Sequence, residues 1–338
     1  MKFPEESYAR DLHHDLTKVI GSVVPGTTVG LAGAGVHWHC TIAHGARQCL
    51  VHCFDSKGPE YLTAFEHETE QRAMGRTSSR ADTIAAVSNW IAGHEVAQLH
   101  ERFVFVDQQK RSLESIAARA IRDFPELTRT EHELQNKACD LYELWIRHGD
   151  RSCRIYYYGK NAHPEAIFNW DEARLFAFQA TDLGQLALIL KLWICDHAAP
   201  SKLQKVFPWI EMGKAARYHE EGRGIEGEFI ESWDRIETFY AEMNFPPAEA
   251  IQTLVAALRK KGYDRSLRAG QSMYTLMLSR SRRHGLKQGQ PHVAFHFRQT
   301  GMEIKIQAEG ETSIWLPVIE LTEDVAALLK RLEATPID

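Results

Sequence analysis

Two stretches of the chain, about 103 residues apart, share a pattern that constrains the fold more than any single motif. Residues 90–106 read WIAGHEVAQLHERFVFV, and residues 193–210 read WICDHAAPSKLQKVFPWI. Both open with Trp-Ile, and with one residue inserted in the second stretch their later apolar positions also coincide. The matched positions are Trp90 with Trp193, Ile91 with Ile194, His94 with His197, Leu99 with Leu203, Phe103 with Phe207, and Phe105 with Trp209. The pattern predicts an internal duplication.

Segments of alternating apolar residues, typical of strands, precede each match. They are residues 36–43, 48–54 and 60–68 before the first match, and residues 152–160 and 172–181 before the second. In both cases a segment with helical spacing then follows, at 78–93 and at 183–197. The predicted fold class is therefore α+β, with antiparallel sheets that carry helices on one face, in a duplicated sheet-plus-helix module.

The length of 338 residues exceeds that of one ordinary domain. We divide the chain into an N-terminal α+β module at 1–108, a helical linker at 109–147, a second α+β module at 148–212, an acidic helical region at 213–262, and a basic helix, hairpin and helix at 263–338. The hairpin and final helix of the last region could form a third, shorter copy of the module.

Composition gives no global reason to expect a nucleic-acid or membrane protein. The net charge is −5, and 44% of the residues are hydrophobic, which is close to the average of globular proteins. The N-terminus lacks an apolar run typical of a signal peptide, and the longest apolar stretch is too short to span a bilayer. We expect a cytoplasmic protein with no membrane partner.

The segment 259–287 is the clearest anomaly of charge. It holds nine Lys or Arg residues and one Asp, whereas the rest of the chain sums to −13. Such a segment predicts an anionic partner, either a nucleic acid or an acidic protein, because Arg and hydroxyl donors suit phosphate and carboxylate oxygens. The candidate anion-binding residues are Arg265, Arg268, Arg280, Arg282, Arg283 and Lys287, and all of them but Arg265 are expected to be exposed on one surface. The competing interpretation is that these cations pair with the acidic residues of 220–237 in the same chain.

Histidines cluster near the N-terminus, where His37 and His39 point to the same face of a predicted strand. Two imidazoles at this spacing, with His52 or His67 from a neighbouring strand, could bind one divalent metal ion and leave a position open for a reactive water. Histidines that line a polar sheet face are the ordinary alternative. This pattern predicts no other cofactor.

Three functional hypotheses follow. The first is a non-catalytic recognition protein whose basic C-terminal segment contacts nucleic acid or another anionic partner. The second is a metal-dependent hydrolase that uses His37 and His39, and the third is an interaction subunit of a larger assembly. Because the chain has no G-x-S-x-G, phosphate-loop or H-E-x-x-H motif, the sequence favours the non-catalytic hypotheses.

Overall fold

A computed structural model of the chain describes residues 3–158, 163–243, 247–282, 286, 289–307 and 311–337. The helices are α1 (Pro4–Val23), α2 (Arg80–Ile91), α3 (Val96–Arg102), α4 (Gln108–Asp123), α5 (Leu183–Leu190), α6 (Pro200–Val206), α7 (Lys214–Glu220), α8 (Gly224–Glu242), α9 (Ala248–Lys260) and α10 (Glu323–Glu333). None of the described helices combines the length and the apolar character needed to cross a membrane.

The strands fall into three groups of five. They are β1 (Thr28–Ala34), β2 (His37–His44), β3 (Arg47–Asp55), β4 (Pro59–His67) and β5 (Glu70–Thr77); β6 (Glu131–Ala138), β7 (Leu141–His148), β8 (Arg151–Tyr156), β9 (Glu165–Trp170) and β10 (Ala173–Gln179); and β11 (Arg268–Ser272), β12 (Thr275–Ser279), β13 (His292–Arg298), β14 (Gly301–Gln307) and β15 (Glu311–Leu316). Each group is one antiparallel sheet in which every strand pairs with its neighbour in sequence. The predicted α+β class with repeated sheet modules is confirmed.

Each sheet lies between helices along the chain. Helix α1 precedes the first sheet and α2 follows it, α4 precedes the second sheet and α5 follows it, and α8 and α9 precede the third sheet, which α10 follows. The helical linker predicted at 109–147 is therefore wrong, because that range contains α4 and most of the hairpin β6–β7. Strand β6 is an edge strand with no fully buried residue, so it lacks the apolar alternation by which strands are recognised.

The first sheet buries one face against α1 and α2. In α1 the apolar residues Leu12, Leu16 and Ile20 recur every four positions and are fully buried, with Cys40 and Val51 of the sheet in the same core. Helix α2 begins at a cap, where the Ser79 side chain accepts a hydrogen bond from the Asp82 backbone N–H at 3.1 Å. The third sheet buries one face in the same manner, against α8, α9 and α10.

The described chain divides into two compact units. The first unit comprises Met1–His148, Cys153–Ala166 and Gln179–Lys191, and the second comprises Gly149–Ser152, Ile167–Phe178 and Leu192–Asp338. The two units are described separately below.

The duplicated tryptophans make the same hydrogen bond in their respective units. The indole N–H of Trp90 donates to the backbone carbonyls of Gln48 and Glu66, at 3.0 and 3.2 Å. The indole N–H of Trp193 donates to the carbonyl of Asn169 at 3.2 Å. Glu66 is in the fourth strand of its sheet and Asn169 in the corresponding fourth strand, β9, so the two bonds are equivalent.

The packing around the two indoles also matches. Trp90 meets the edge of Phe65 with the ring centroids 6.1 Å apart, and Trp193 meets the edge of Phe168 at 6.5 Å. Both tryptophans are buried, and an equivalent packed position for Trp90 and Trp193 is what the sequence pattern predicts.

The one-residue insertion lies in a π turn. Residues Lys191–Cys195 continue α5 as a π-helix, which accommodates one extra residue per turn. In the first copy the backbone turns left-handed at Gly93, three residues after Trp90, whereas in the second it does so at His197, four residues after Trp193. The insertion therefore precedes His197, although the sequence match places it after that residue.

Candidate functional site

The basic segment forms strands. Residues predicted as a helix from 263 onward form a short 3-10 turn at Tyr263–Arg265 and then the hairpin of β11 and β12. Leu276 and Leu278 alternate with half-exposed neighbours and are fully buried, which is the period of a strand. The helix prediction is wrong because the apolar residues of this stretch also fit a helical spacing.

The Arg282 side chain is paired with carboxylates inside the second unit. Its guanidinium donates to the Glu228 carboxylate at 3.1 and 2.9 Å and also to the Asp171 carboxylate, and 18% of its side chain is exposed. The expectation that Arg282 is an exposed cation is therefore wrong. Glu228 lies in the acidic range 220–237, so this contact agrees with the competing interpretation of internal pairing.

Two further arginines of the predicted anion-binding set donate hydrogen bonds to backbone carbonyls. Arg280 donates to the carbonyls of Thr335 at 3.0 Å and Ser266 at 2.9 Å, and Arg268 donates to the carbonyl of Arg282 at 2.7 Å. Their expected exposure is also wrong, since Arg268 is 8% exposed and Arg280 half-buried.

Arg265 alone among the described members of this set is well exposed, at 69% of its side chain, and its Nε lies 3.9 Å from Glu226. Arg283 and Lys287 lie outside the described residues. Anion binding by these residues stays a prediction.

One concave site adjoins the basic segment. Between α8 and the edge strand β11 a pocket of about 420 Å³ is lined by residues of both elements and of β12. Arg235 and Arg268 provide its positive charge, and Ile236, Phe239 and Met277 provide apolar walls. Arg235 is exposed and forms no hydrogen bond or ion pair with another residue of the described ranges.

The three histidines of the predicted metal site share one face of the first sheet. His39 pairs directly with His52 across β2 and β3, and their rings are tilted with centroids 5.4 Å apart. The pKa of His52 is lowered, first by burial and then by His39 and His37. Within the described ranges no group of three His, Cys, Asp or Glu residues is arranged to hold a metal ion. Metal binding at His37, His39 and His52 stays a prediction. The rings pack against one another across the sheet face.

A groove of about 730 Å³ lies within the first unit. It is formed by the start of β4, the end of β5, the start of α2, the segment from α3 to α4, the turn before β7 with the start of β7, and Tyr157 just after β8. At one wall Arg76 bridges two carboxylates, since it donates to Asp140 at 3.1 and 3.0 Å and to Glu60 at 3.2 Å. The Asp140 hydrogen bond is the main cause that raises the pKa of Arg76.

A third fixed carboxylate of the groove belongs to Asp107. One oxygen accepts the backbone N–H of Met74 at 2.9 Å, and the other lies 2.9 Å from Nε2 of His100. Asp107 has a left-handed backbone, with φ of 51°, directly before α4. Two partners thus hold its buried carboxylate in one orientation.

Aromatic and apolar side chains complete the groove. Burial raises the pKa of both Tyr142 and Tyr157, and Phe103, Val104 and Phe105 line the segment between α3 and α4. Val104 is 73% exposed. Phe103 and Phe105 belong to the sequence pattern that predicts the duplication. The groove itself could not be predicted, because its residues are scattered along the sequence and form no motif.

The chain matches no known family model, no curated protein and no solved structure.

Proposed function

We propose that the chain is a non-catalytic recognition protein that binds an acidic segment of a partner protein in the pocket between α8 and β11. The observation that carries this proposal is the exposed Arg235 guanidinium, which has no partner in the described ranges and lines the same pocket as the buried Arg268.

The chemistry of the pocket supports an anionic ligand. Guanidinium groups present planar N–H donors that match carboxylate and phosphate oxygens, often through two bonds at once. The bond from Arg268 to the Arg282 carbonyl holds that side chain in place before a ligand arrives, which reduces the ordering cost of binding. Arg235 adds a second positive charge at the same pocket.

The surroundings favour an acidic protein segment over a nucleic acid. A nucleic acid is recognised by a row of free cations along its phosphates, but Arg280 and Arg282 already serve carbonyls and carboxylates of the second unit. The apolar walls at Ile236, Phe239 and Met277 suit side chains that flank a carboxylate in a peptide.

The test is fluorescence anisotropy with a labelled oligo-glutamate peptide and, in parallel, a labelled oligothymidine strand. We expect the wild-type protein to prefer the peptide, and we expect Arg235→Gln to weaken that binding by about tenfold, the loss for one charge-assisted hydrogen bond. The matched control is Arg298→Gln, which removes a guanidinium with 64% side-chain exposure at the end of β13, outside the pocket.

Equal losses in the Arg235 and Arg298 variants, or no peptide binding at all, would overturn the proposal. A preference for oligothymidine that Arg235→Gln abolishes would assign the pocket to nucleic acid instead and would overturn the acidic-peptide assignment.

A further inference from the structure

We infer that the groove of the first unit is a second binding site, and that its ligand is a cationic, Lys- or Arg-containing segment of a partner protein. The inference does not rest on the proposed function, because it concerns different residues in a different unit and a ligand of opposite charge. The groove volume of about 730 Å³ lies within the range of ordinary ligand sites.

The charge balance of the groove is negative. Its carboxylates are those of Glu60, Asp82, Asp107 and Asp140, and its cations are Arg76 and Arg102. Arg76 is shared by two of the carboxylates, so it cannot neutralise both. Asp82 is exposed, and its carboxylate forms no ion pair with another described residue. Complementary charge across an interface steers a cationic partner toward such a groove and disfavours an anionic one.

One carboxylate of the groove wall, that of Asp107, is held in a fixed position and adds its negative charge to the groove. Both oxygens of Asp107 are engaged, by the Met74 N–H and by His100, and 3% of the Asp107 side chain is exposed. The backbone of Asp107 is left-handed, a region that aspartate adopts more readily than most residues other than glycine. The bonds that maintain this conformation keep the carboxylate at the groove wall.

The remaining lining suits a lysine or arginine side chain. Tyr142, Tyr157 and Phe103 offer ring faces and edges near the carboxylates, and a cation placed over an aromatic ring is attracted by its electron density. Val104, exposed at the rim, offers an apolar contact for the methylene stem of such a side chain.

The experiment uses a labelled oligo-lysine peptide and an uncharged Gly-Ser peptide of the same length, measured by fluorescence anisotropy with the full chain. We expect the wild type to prefer oligo-lysine, and we expect Asp82→Asn to weaken that binding by about threefold, the effect of one exposed charge. The matched control is Glu114→Gln, which removes an exposed carboxylate of α4 that does not line the groove.

A pair of changes at one rim position sharpens the test. Val104→Lys should weaken oligo-lysine binding and Val104→Glu should strengthen it, whereas Val206→Lys, at an exposed valine of α6 in the second unit, should have a smaller effect. Equal affinity for the two peptides, or equal losses for Asp82→Asn and Glu114→Gln, would overturn the inference. Neither result would bear on the oligo-glutamate measurement, so the two proposals fail separately.

Discussion

Each of the two duplicated modules places an arginine against its equivalent tryptophan, but the two arginines differ in their hydrogen bonds. In the first, the Arg47 guanidinium lies 4.3 Å from the Trp90 ring and donates to the carbonyls of Trp90 and His94 and to the Glu95 carboxylate. In the second, the Arg151 guanidinium lies between two indole rings, 3.5 Å from Trp170 and 3.8 Å from Trp193. Its Nε and Nη1 have no hydrogen-bond acceptor within the described ranges.

The two helix ends differ beside these arginines. Both arginines open the third strand of their sheet, and each follows a turn glycine, Gly45 or Gly149, with φ of 58°. The acceptors of Arg47 lie at and just beyond the end of α2, whereas the second copy ends its helix in the π turn. Burial lowers the pKa of Arg151 to about 10, against the opposing effect of Asp150. Duplication has kept the stacking and lost the hydrogen bonds.

The tryptophans should show the largest effect, because both copies depend on them equally. We expect Trp90→Ala and Trp193→Ala each to lower the free energy of unfolding by about 3–5 kcal/mol. Urea denaturation followed by circular dichroism measures this. The control Trp315→Ala removes an indole that is 52% exposed and should cost less than about 1 kcal/mol. A loss of similar size in the control would contradict equivalent buried roles for the two tryptophans.

Replacing the arginines should change the stability of the two copies by different amounts. Arg47→Met removes the guanidinium that donates to the part-buried carbonyls of Trp90 and His94 and to the Glu95 carboxylate, and it should lower the free energy of unfolding by about 2–3 kcal/mol. Arg151→Met removes a desolvated cation with unsatisfied N–H groups and keeps an apolar contact with two indoles, so stability should stay within about 1 kcal/mol of the wild type. The same urea titration compares the two variants. An equal loss in both would mean that Arg151 has an acceptor after all.

The smallest effect on stability is expected at a position where one copy has a histidine and the other has a tyrosine. His52 is the sixth residue of β3, and the sixth residue of β8 is Tyr156. Because burial, His39 and His37 lower the pKa of His52, the unfolded chain takes up a proton there at a higher pH than the folded chain. The free energy of unfolding should therefore fall as the pH drops below about 6.5, and His52→Tyr should flatten that slope. An unchanged slope between pH 7 and pH 5 in the variant would contradict this account.

Much of the fold could be predicted because buried side chains set the period of the sequence. Trp90, Trp193, Leu99 and Leu203 are all buried in the described structure, so the pattern they form reflects packing. The edge strand β6 escaped prediction because it has no fully buried residue. A stronger sequence signal for the duplication is the tetrapeptide His-Gly-Ala-Arg at 44–47, which was not used in the prediction. It recurs as His-Gly-Asp-Arg at 148–151, and a related sequence, His-Gly-Leu-Lys, occurs at 284–287.

The candidate sites were harder to predict, for a different physical reason. Charge along the sequence does not reveal which cations are already paired, and Arg282 finds its carboxylate partners Asp171 and Glu228 at large separations along the chain. The groove at Glu60, Asp107 and Asp140 likewise collects residues from several elements. Alternation predicts only that His37 and His39 share a strand face, and the pairing of His39 with His52 comes from the strand register, which the sequence does not reveal.

The consecutive strand order of all three sheets has a consequence for how the chain folds. When every strand pairs with its sequence neighbour, each new hairpin closes only a short loop, so the entropy lost before the first stabilising contacts form is small. Such local contacts favour fast folding, and during synthesis a sheet can grow strand by strand as the ribosome releases the chain. We expect hydrogen exchange during refolding to protect the hairpins of one sheet together, as a cooperative unit, before the helix that follows it docks.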